Sequence, residues 1–314
     1  MRLKKLFIIT LILVMALTGC RQLPAQVAAQ QEEKLNREYN ENEMYLVLAS
    51  RKQEVCDVYT NEIFDVKINE QGDTYDKAFN MMVRDYLTKM YVMTRMCEEK
   101  EIEINTTDLR GIEARAEEYI EDLTASGNEA PVTAEDATQI LKDLYMIDLL
   151  KESIIKESDT EVSESDARVM DIIRITLDDS ESANAVLEEV HADDVDFAAA
   201  ARRNSTDSEI DLKVAKGDLE PSIEEVVFGL EDGEISPIVQ LNGKYYIIKC
   251  VLGYDEEATA AKREKMAEVR RDEVVARAYD AYFAEHEYSL PDNAWNSAIE
   301  MCNKYGKCPD IFEY

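Results

Sequence analysis

The chain has 314 residues, 46% of them hydrophobic, which is enough for two domains with buried cores. It contains 67 acidic and 35 basic residues and carries a formal net charge of −32. This charge argues against nucleic acid and anionic lipid surfaces as partners, and it favours high solubility.

The N-terminus has the three parts of a bacterial lipoprotein signal. Three of the first five residues are basic, and the apolar run Leu6–Leu17 that follows is too short to span a bilayer. Leu17-Thr18-Gly19-Cys20 then matches a lipobox, in which the cysteine thiol accepts a diacylglyceryl group. We predict a signal peptide over residues 1–19, lipidation of Cys20 and a lipid-anchored tether over residues 20–42. This predicts an extracytoplasmic protein attached to the cell membrane.

Residues 43–160 are predicted to form a helical domain. Apolar residues recur at spacings of three and four in Asp76–Lys100, which indicates one face of a helix. A second helix begins after a cap at Asn105 and ends near Gly127. A third begins at Thr133–Asp136, which resembles a capping box.

Two parts of this domain have more than one interpretation. Met44–Asn69 is ambiguous between helix and strand, because Val55–Tyr59 and Ile63–Ile68 are strand-like. The methionines of the first clear helix form either ordinary core or an adaptable apolar groove. Met81 and Met96 lie off the main apolar stripe and are the better groove candidates.

Residues 256–314 are predicted to return to helix. Thr259–Glu287 forms a long, charge-rich helix, and a final helix begins again at Pro291-Asp292. Cys302 and Cys308 are close enough in sequence to form a disulfide, and the sequence leaves this pairing open. No cysteine or histidine spacing suggests a metal site, and no cofactor is expected.

The segment between these helical parts contains six submotifs in a characteristic order. They begin with DARVMDIIRIT at Asp166–Thr176, and they are followed by DFAAAA, STD, GDLEPSIEEVVFGL, EDGEISP and finally GKYYIIKCV at Gly243–Val251. In order and spacing they resemble the parvulin (PpiC-type) peptidyl-prolyl isomerases. The resemblance implies a parvulin-like α/β domain over residues 165–252.

The resemblance also implies where a catalytic site lies. Parvulins have two histidines in the floor of the site, and this chain is predicted to have Asp171 and Tyr246 at those positions. Asp207 corresponds to the Cys/Asp position with which the histidines form hydrogen bonds. The apolar pocket for the proline ring is expected to come from three residues: Leu219, Ile223 and Phe228.

Two interpretations of this altered site remain open. In the first, the Tyr246 hydroxyl donates to a carboxylate, and the proximity of Asp171 to Asp207 raises one pKa and gives a working variant. In the second, these residues fill space in a domain that is retained for binding. The segment Ser208–Lys216 lacks the glycine-rich loop that parvulins usually have, which favours the second.

The order of domains resembles the SurA/PrsA group of secreted foldases. That resemblance implies an α+β chain, in which N- and C-terminal helices build one chaperone-like domain and the parvulin-like domain is inserted. It implies that Leu290–Ile299 docks against the helices of Asp76–Ile154. The expected partners are unfolded or partly folded secreted proteins, with the membrane reached through the lipid anchor. The sequence does not define the oligomeric state.

Three functions follow from these observations. The first is an extracytoplasmic foldase or chaperone with weak or lost isomerase activity. The second is an active prolyl isomerase with a histidine-free site. The third is a non-enzymatic envelope-assembly or docking lipoprotein with one fixed partner.

Overall fold

The computed structural model of the chain describes residues 38–286, 288–305 and 308–314. The predicted signal peptide, Cys20 and most of the tether lie outside these residues. Two compact units are distinguished: one combines the chain up to Lys156 with Ala276–Tyr314, and the other is Glu157–Val275. Helices dominate, and a small antiparallel sheet accompanies them, so the predicted α+β class is confirmed. None of the described helices is both long and apolar enough to cross a membrane.

The first unit is built around a central helix. Its N-terminal elements are α1 (Glu41–Val58), a short 3-10 helix (Asn61–Asp65), α2 (Tyr75–Glu99), α3 (Thr106–Ala125) and α4 (Ala134–Lys156). Helix α4 packs against α1, α2 and α3. The inward faces of α2 and α3 carry the apolar stripes predicted from sequence, with Phe79, Leu87 and Tyr119 almost fully buried.

Helix α1 begins earlier than the sequence indicated. The Asn40 side chain accepts a hydrogen bond from the Glu43 N–H, and the Glu43 carboxylate accepts one from the Asn40 N–H, which forms a capping box. Tyr39 is 1% exposed, and its hydroxyl donates to Asp143 at 2.9 Å. Residues 39–42 therefore belong to the helical unit and not to a tether.

The two segments with strand-like residues are not strands. Val55 lies within α1, and Asn61–Asp65 forms the 3-10 helix. Pairing begins later, where Lys67 forms an isolated antiparallel bridge with Thr74. The turn between these two residues contains Gly72 at φ +86°, a left-handed conformation that favours glycine.

The C-terminal part of the chain completes the first unit. The boundary between the units falls inside α9 (Glu256–Glu285), and α10 (Asp292–Tyr305) packs mainly against α1. The sequence predicted docking on the helices of Asp76–Ile154. Contact with α2 is made by the segment before α10, where Arg84 donates to the Leu290 carbonyl at 2.8 Å and Tyr288 stacks on Tyr91.

Several methionines and cysteines of this unit are buried in its core. Met90, Met93 and Met96 are buried, so the core interpretation applies to them. Of the two groove candidates, only Met81 is exposed, at 60%. Cys302 and Cys308 are free thiols in the structure, and the Cys308 sulfur lies 2.8 Å from the Tyr119 hydroxyl.

A buried carboxyl group makes the stability of this unit depend on pH. Burial raises the pKa of Asp310 to about 6, and contact with Glu54 adds to the rise. The unfolded pKa is lower, at about 3.9. Between these two values the folded chain binds more protons than the unfolded chain, so stability falls as pH rises through this window.

Acidification is therefore expected to stabilise the helical unit through Asp310. Asp310→Asn keeps an oxygen that accepts from the Phe312 N–H but cannot titrate. When the pH is lowered from about 7 to about 5, the free energy of unfolding is expected to rise in the parent. The rise should be smaller in the variant by about 1 kcal/mol, a value that allows for the partial exposure of Asp310. Calorimetry of both proteins at the two pH values measures the difference. Equal gains would contradict this role of Asp310.

The second unit contains a four-stranded antiparallel sheet in the order β2-β1-β4-β3. Its elements are α5 (Glu164–Ala167), β1 (Val169–Leu177), α6 (Ser180–Val190), α7 (Phe197–Asn204), β2 (Asp211–Ala215), α8 (Pro221–Gly229), β3 (Val239–Leu241) and β4 (Lys244–Leu252). The first part of α9 follows directly.

Both faces of this sheet are covered. On one face, Ile175, Leu177 and Ile247 form a core with α6 and α7. On the other, Met170, Ile172 and Ile248 form a core with α8. The centre of β1 is therefore apolar on both faces, and its polar side chains need partners where they are not exposed.

Candidate functional site

An ion pair lies on the α8 face of the sheet. The Arg174 Nη2 atom on β1 donates to the Asp207 Oδ2 atom at 2.7 Å. The arginine side chain is 18% exposed and the aspartate side chain 39% exposed. The guanidinium is thus largely withdrawn from water, and Asp207 balances its charge.

The loop that carries Asp207 is held against β1 by hydrogen bonds to Thr176. The Ser205 hydroxyl accepts from the N–H groups of Thr176 and Asp207, at 3.1 and 3.2 Å. The Thr206 N–H donates to the Thr176 carbonyl at 2.8 Å. The second oxygen of Asp207 accepts from the Glu209 N–H at 3.1 Å. Both carboxylate oxygens therefore have fixed donors.

Tyr246 completes this group of side chains. It lies opposite Thr176 in the β1–β4 register, and the Arg174 guanidinium carbon is 6.0 Å from the centre of its ring. This distance is at the limit of a cation–π contact. We call Arg174, Thr176, Asp207 and Tyr246 the site floor.

The site floor contains two buried polar atoms that lack hydrogen-bond partners. They are the Nε atom of Arg174 and the hydroxyl of Thr176, and neither finds a partner in the described part of the chain. Leaving such an atom unsatisfied costs about 1–3 kcal/mol. Native proteins keep few of these atoms, and functional sites are among the places where they occur. This supports a binding role for the floor.

Asp171, predicted as a catalytic residue, is not part of this floor. It pairs with Lys213 on β2, whose Nζ atom donates to Asp171 at 2.9 Å and also to the Asp255 carboxylate. These hydrogen bonds, with Asp255 first, raise the pKa of Lys213. The neighbours of Asp171 on both sides, Met170 and Ile172, point into the core beneath α8, so Asp171 points to the other face.

The grouping of Asp171 with Asp207 is therefore corrected. The resemblance to parvulins places the first histidine beside both the Cys/Asp position and the second histidine. The side chain that contacts both Asp207 and Tyr246 is Arg174, three residues later on β1. Arg174, and not Asp171, is therefore the β1 side chain that lies with Asp207 and Tyr246. The repulsion between two carboxylates that the sequence predicted does not arise.

The three predicted pocket residues all belong to the core beneath α8: Ile223 is buried in it, at 5% exposed, and Leu219 and Phe228 pack against it. The Phe228 ring lies 5.7 Å from the guanidinium carbon of Arg168, in a groove of about 560 Å³ at the start of β1. Arg174 lies five positions after Val169 along β1, or roughly 16 Å away.

The sequence analysis missed two apolar residues near the floor. Val239 pairs with Tyr246 in the β3–β4 register, and Val239 and Leu241 both pack against the core beneath α8. Together with Leu219 they provide the partly buried apolar surface on this side of the sheet. Val239 could have been found from sequence, because it lies in the short strand that pairs with the last submotif.

This floor can bind but has little means of moving a proton near neutral pH. An arginine stays protonated, and its guanidinium is already paired with Asp207. No histidine is present to titrate between about pH 5 and 8. Rotation about a prolyl peptide bond has a barrier of roughly 18–20 kcal/mol, and lowering it requires polar groups that favour the twisted amide. The hydroxyl groups of Thr176 and Tyr246 are the uncharged polar groups that the floor offers.

Comparison with known proteins identifies the class of this domain. Residues 176–251 match the rotamase family model, described as a PPIC-type PPIase domain. The match begins at Thr176, near the end of β1, and ends at Val251, one residue before the end of β4. It therefore includes Thr176, Asp207 and Tyr246 of the site floor but not Arg174. The predicted parvulin-type domain is confirmed.

Part of the chain is similar to PrsA foldases. It is 27% identical over 212 residues to the foldase protein PrsA of Streptococcus equi subsp. zooepidemicus (strain H70), covering 62% of this chain and 63% of that one. It is 27% identical over 179 residues to PrsA of Staphylococcus aureus (strain Newman), covering 50% and 55% of the two chains. The chain thus spans less than two thirds of these relatives.

Among solved structures, the chain is similar to the peptidylprolyl isomerase PrsA of Bacillus cereus. The sequence identity is 19% and the TM-score is 0.37, with 75% of this chain and 97% of that chain covered.

Proposed function

We propose that this chain is an extracytoplasmic folding factor that binds unfolded or partly folded secreted proteins. In this proposal the parvulin-type domain binds client segments and has weak or lost isomerase activity. The observation that carries it is the site floor, in which Arg174 is paired with Asp207 and lies beside Tyr246, with no histidine among its residues. In this proposal Arg174 and Tyr246 occupy the positions at which a rotamase has histidines. A paired, permanently charged arginine cannot take the part of a histidine.

The relatives support the setting of this function. The relatives described above are named foldase protein PrsA, and an extracytoplasmic location is part of the proposal. Attachment to the cell membrane through lipid on Cys20 is part of the proposal and rests on the lipobox in the sequence. Binding of unfolded proteins by the helical unit is likewise proposed.

A histidine-free isomerase is the second candidate. It would use Asp207 and Tyr246, with Arg174 in place of Asp171. The two unsatisfied polar atoms of the floor and the apolar surface of Leu219 and Val239 favour it. In the third candidate, a docking lipoprotein, both units would serve one fixed partner.

Aggregation of unrelated clients separates a folding factor from a fixed-partner protein. Two chemically denatured proteins without sequence similarity are diluted into buffer with increasing amounts of the full chain, and light scattering is followed. We expect scattering from both clients to fall by more than about half at a few-fold excess of the chain, since apolar segments are covered before they associate. An acidic protein of similar net charge without chaperone function is the control. Suppression of neither client would refute the proposed function.

A further inference from the structure

The helical unit has a cavity beside an exposed apolar segment. The cavity, of about 540 Å³, lies between the end of α1, the 3-10 helix and α10, and Lys52, Tyr59, Phe64 and Cys302 contribute to its wall. Phe64 is buried and packs against Phe79, so this part of the wall is aromatic. Its size suits one or two large apolar side chains.

Large apolar side chains next to this cavity are left in water. Val58 and Tyr59 at the end of α1 are 49% and 50% exposed, and Val66 and Ile68 are 53% and 49% exposed. These four residues, which we call the apolar segment, lie within eleven positions of one another. Single exposed apolar residues are common, but a group beside a cavity is typical of an interaction surface.

The apolar segment also has an unpaired backbone edge. The Ile68 N–H donates to the Asp73 carbonyl, and the Val66 carbonyl accepts from the Tyr75 N–H. The backbone groups of Val66 and Ile68 therefore point into the turn that returns to Thr74. Between them, the N–H and C=O groups of Lys67 make no backbone hydrogen bond with any described residue. A free edge of this kind pairs with an extended chain.

The charge around this edge selects the ligand. Residues 51–77 contain seven carboxylates and four basic residues, and three of the basic residues pair with Glu54, Asp73 and Asp76. Glu62, Asp65 and Glu70 are exposed and form no ion pair with the described residues. A positively charged segment would gain from this field, whereas an acidic one would be repelled.

We propose that the apolar segment and its cavity bind an extended, apolar and positively charged stretch of an unfolded polypeptide. One apolar side chain of that stretch enters the cavity above Phe64, and its backbone pairs with the edge at Lys67. This rests on the proposed function, and it adds the location and the charge of the client segment.

Fluorescence anisotropy with the full chain and a labelled peptide tests this site. The probe alternates valine and phenylalanine with lysine, and a second peptide replaces lysine by glutamate. A third is N-methylated at alternate residues and cannot pair along an edge. We expect the glutamate and N-methylated peptides to bind at least about ten-fold more weakly than the lysine peptide. Salt at about 0.5 M should weaken lysine-peptide binding.

Matched variants separate this surface from apolar surface in general. Val66→Ser with Ile68→Ser should weaken lysine-peptide binding about ten-fold, whereas Val269→Ser, at a position of α9 that is equally exposed, should leave it unchanged. Far-UV circular dichroism checks that each variant folds.

Several results would overturn the assignment. One is that the double variant binds the lysine peptide within about two-fold of the parent. Another is that the lysine and glutamate peptides bind equally. A third is that the parent is a dimer and the double variant a monomer, because the occupant would then be a second copy of the chain. If aggregation is suppressed while the double variant binds normally, the site is wrong and the proposed function stands. If peptide binding behaves as expected without suppression, the proposed function fails instead.

Discussion

Arg174→His combined with Tyr246→His is expected to give the chain prolyl isomerase activity at least about ten-fold above that of the parent. Both substituted side chains lie on the α8 face of the sheet beside Asp207, and the loop carrying Asp207 is already fixed against β1. The double variant thus places two histidines next to a carboxylate, which is the arrangement that parvulins use. A protease-coupled isomerisation assay measures the gain.

The matched control for this prediction is Asp171→His combined with Tyr246→His. It introduces the same two residue types but leaves the Arg174–Asp207 ion pair intact and puts the first histidine on the other face of β1. We expect no gain from it. Equal activity in the two double variants would mean that Arg174 does not occupy the first histidine position.

Deletion of residues 290–314 is expected to unfold the helical unit and to leave the parvulin-type unit folded. Trp295 is 4% exposed and Ile311 is fully buried, and both belong to the unit that contains α1. The Ser50 hydroxyl on α1 accepts from the Ile311 N–H at 3.0 Å. The truncated chain loses this core and leaves the inner face of α1 uncovered.

Calorimetry and limited proteolysis follow the two units separately. The truncated chain should lose one unfolding transition and keep a protected fragment that includes residues 165–252. Trp295→Ala is a milder version and should cost about 3–5 kcal/mol in the first unit. Tyr254→Ala, at a 41% exposed position, is the control and should change little. Two unchanged transitions after truncation would show that the C-terminal helices are not needed for the helical core.

The sequence predicted the elements that have one buried face. Helices α2 and α3 carry apolar residues on one stripe, and their periods are visible in the sequence. Helix α1 has no such stripe, because every residue from Glu43 to Ser50 is buried. Without an exposed face there is no amphipathic period, and that is why this segment was ambiguous.

The same physical reason explains the error at the candidate site. Strand β1 is covered on both faces, so its sequence, VMDIIRITL, shows no clean alternation of polar and apolar residues. A motif aligned to such a run can be displaced by three residues without an obvious penalty. Arg174 was the available signal, since it is the one charged residue inside the apolar run that follows Asp171, and a charge there needs a partner. The matches of Asp207 and Tyr246 to their motifs did not depend on this run, and the structure brings both residues close to Arg174.

The most direct test of the account is the protease-coupled prolyl isomerisation assay on the unmodified chain, with Asp207→Ala and Tyr246→Phe beside it. The account predicts that the unmodified chain converts the peptide little or no faster than the uncatalysed reaction and that the two variants do the same. Clear turnover that is lost in both variants would contradict it. The site floor would then be a histidine-free isomerase site.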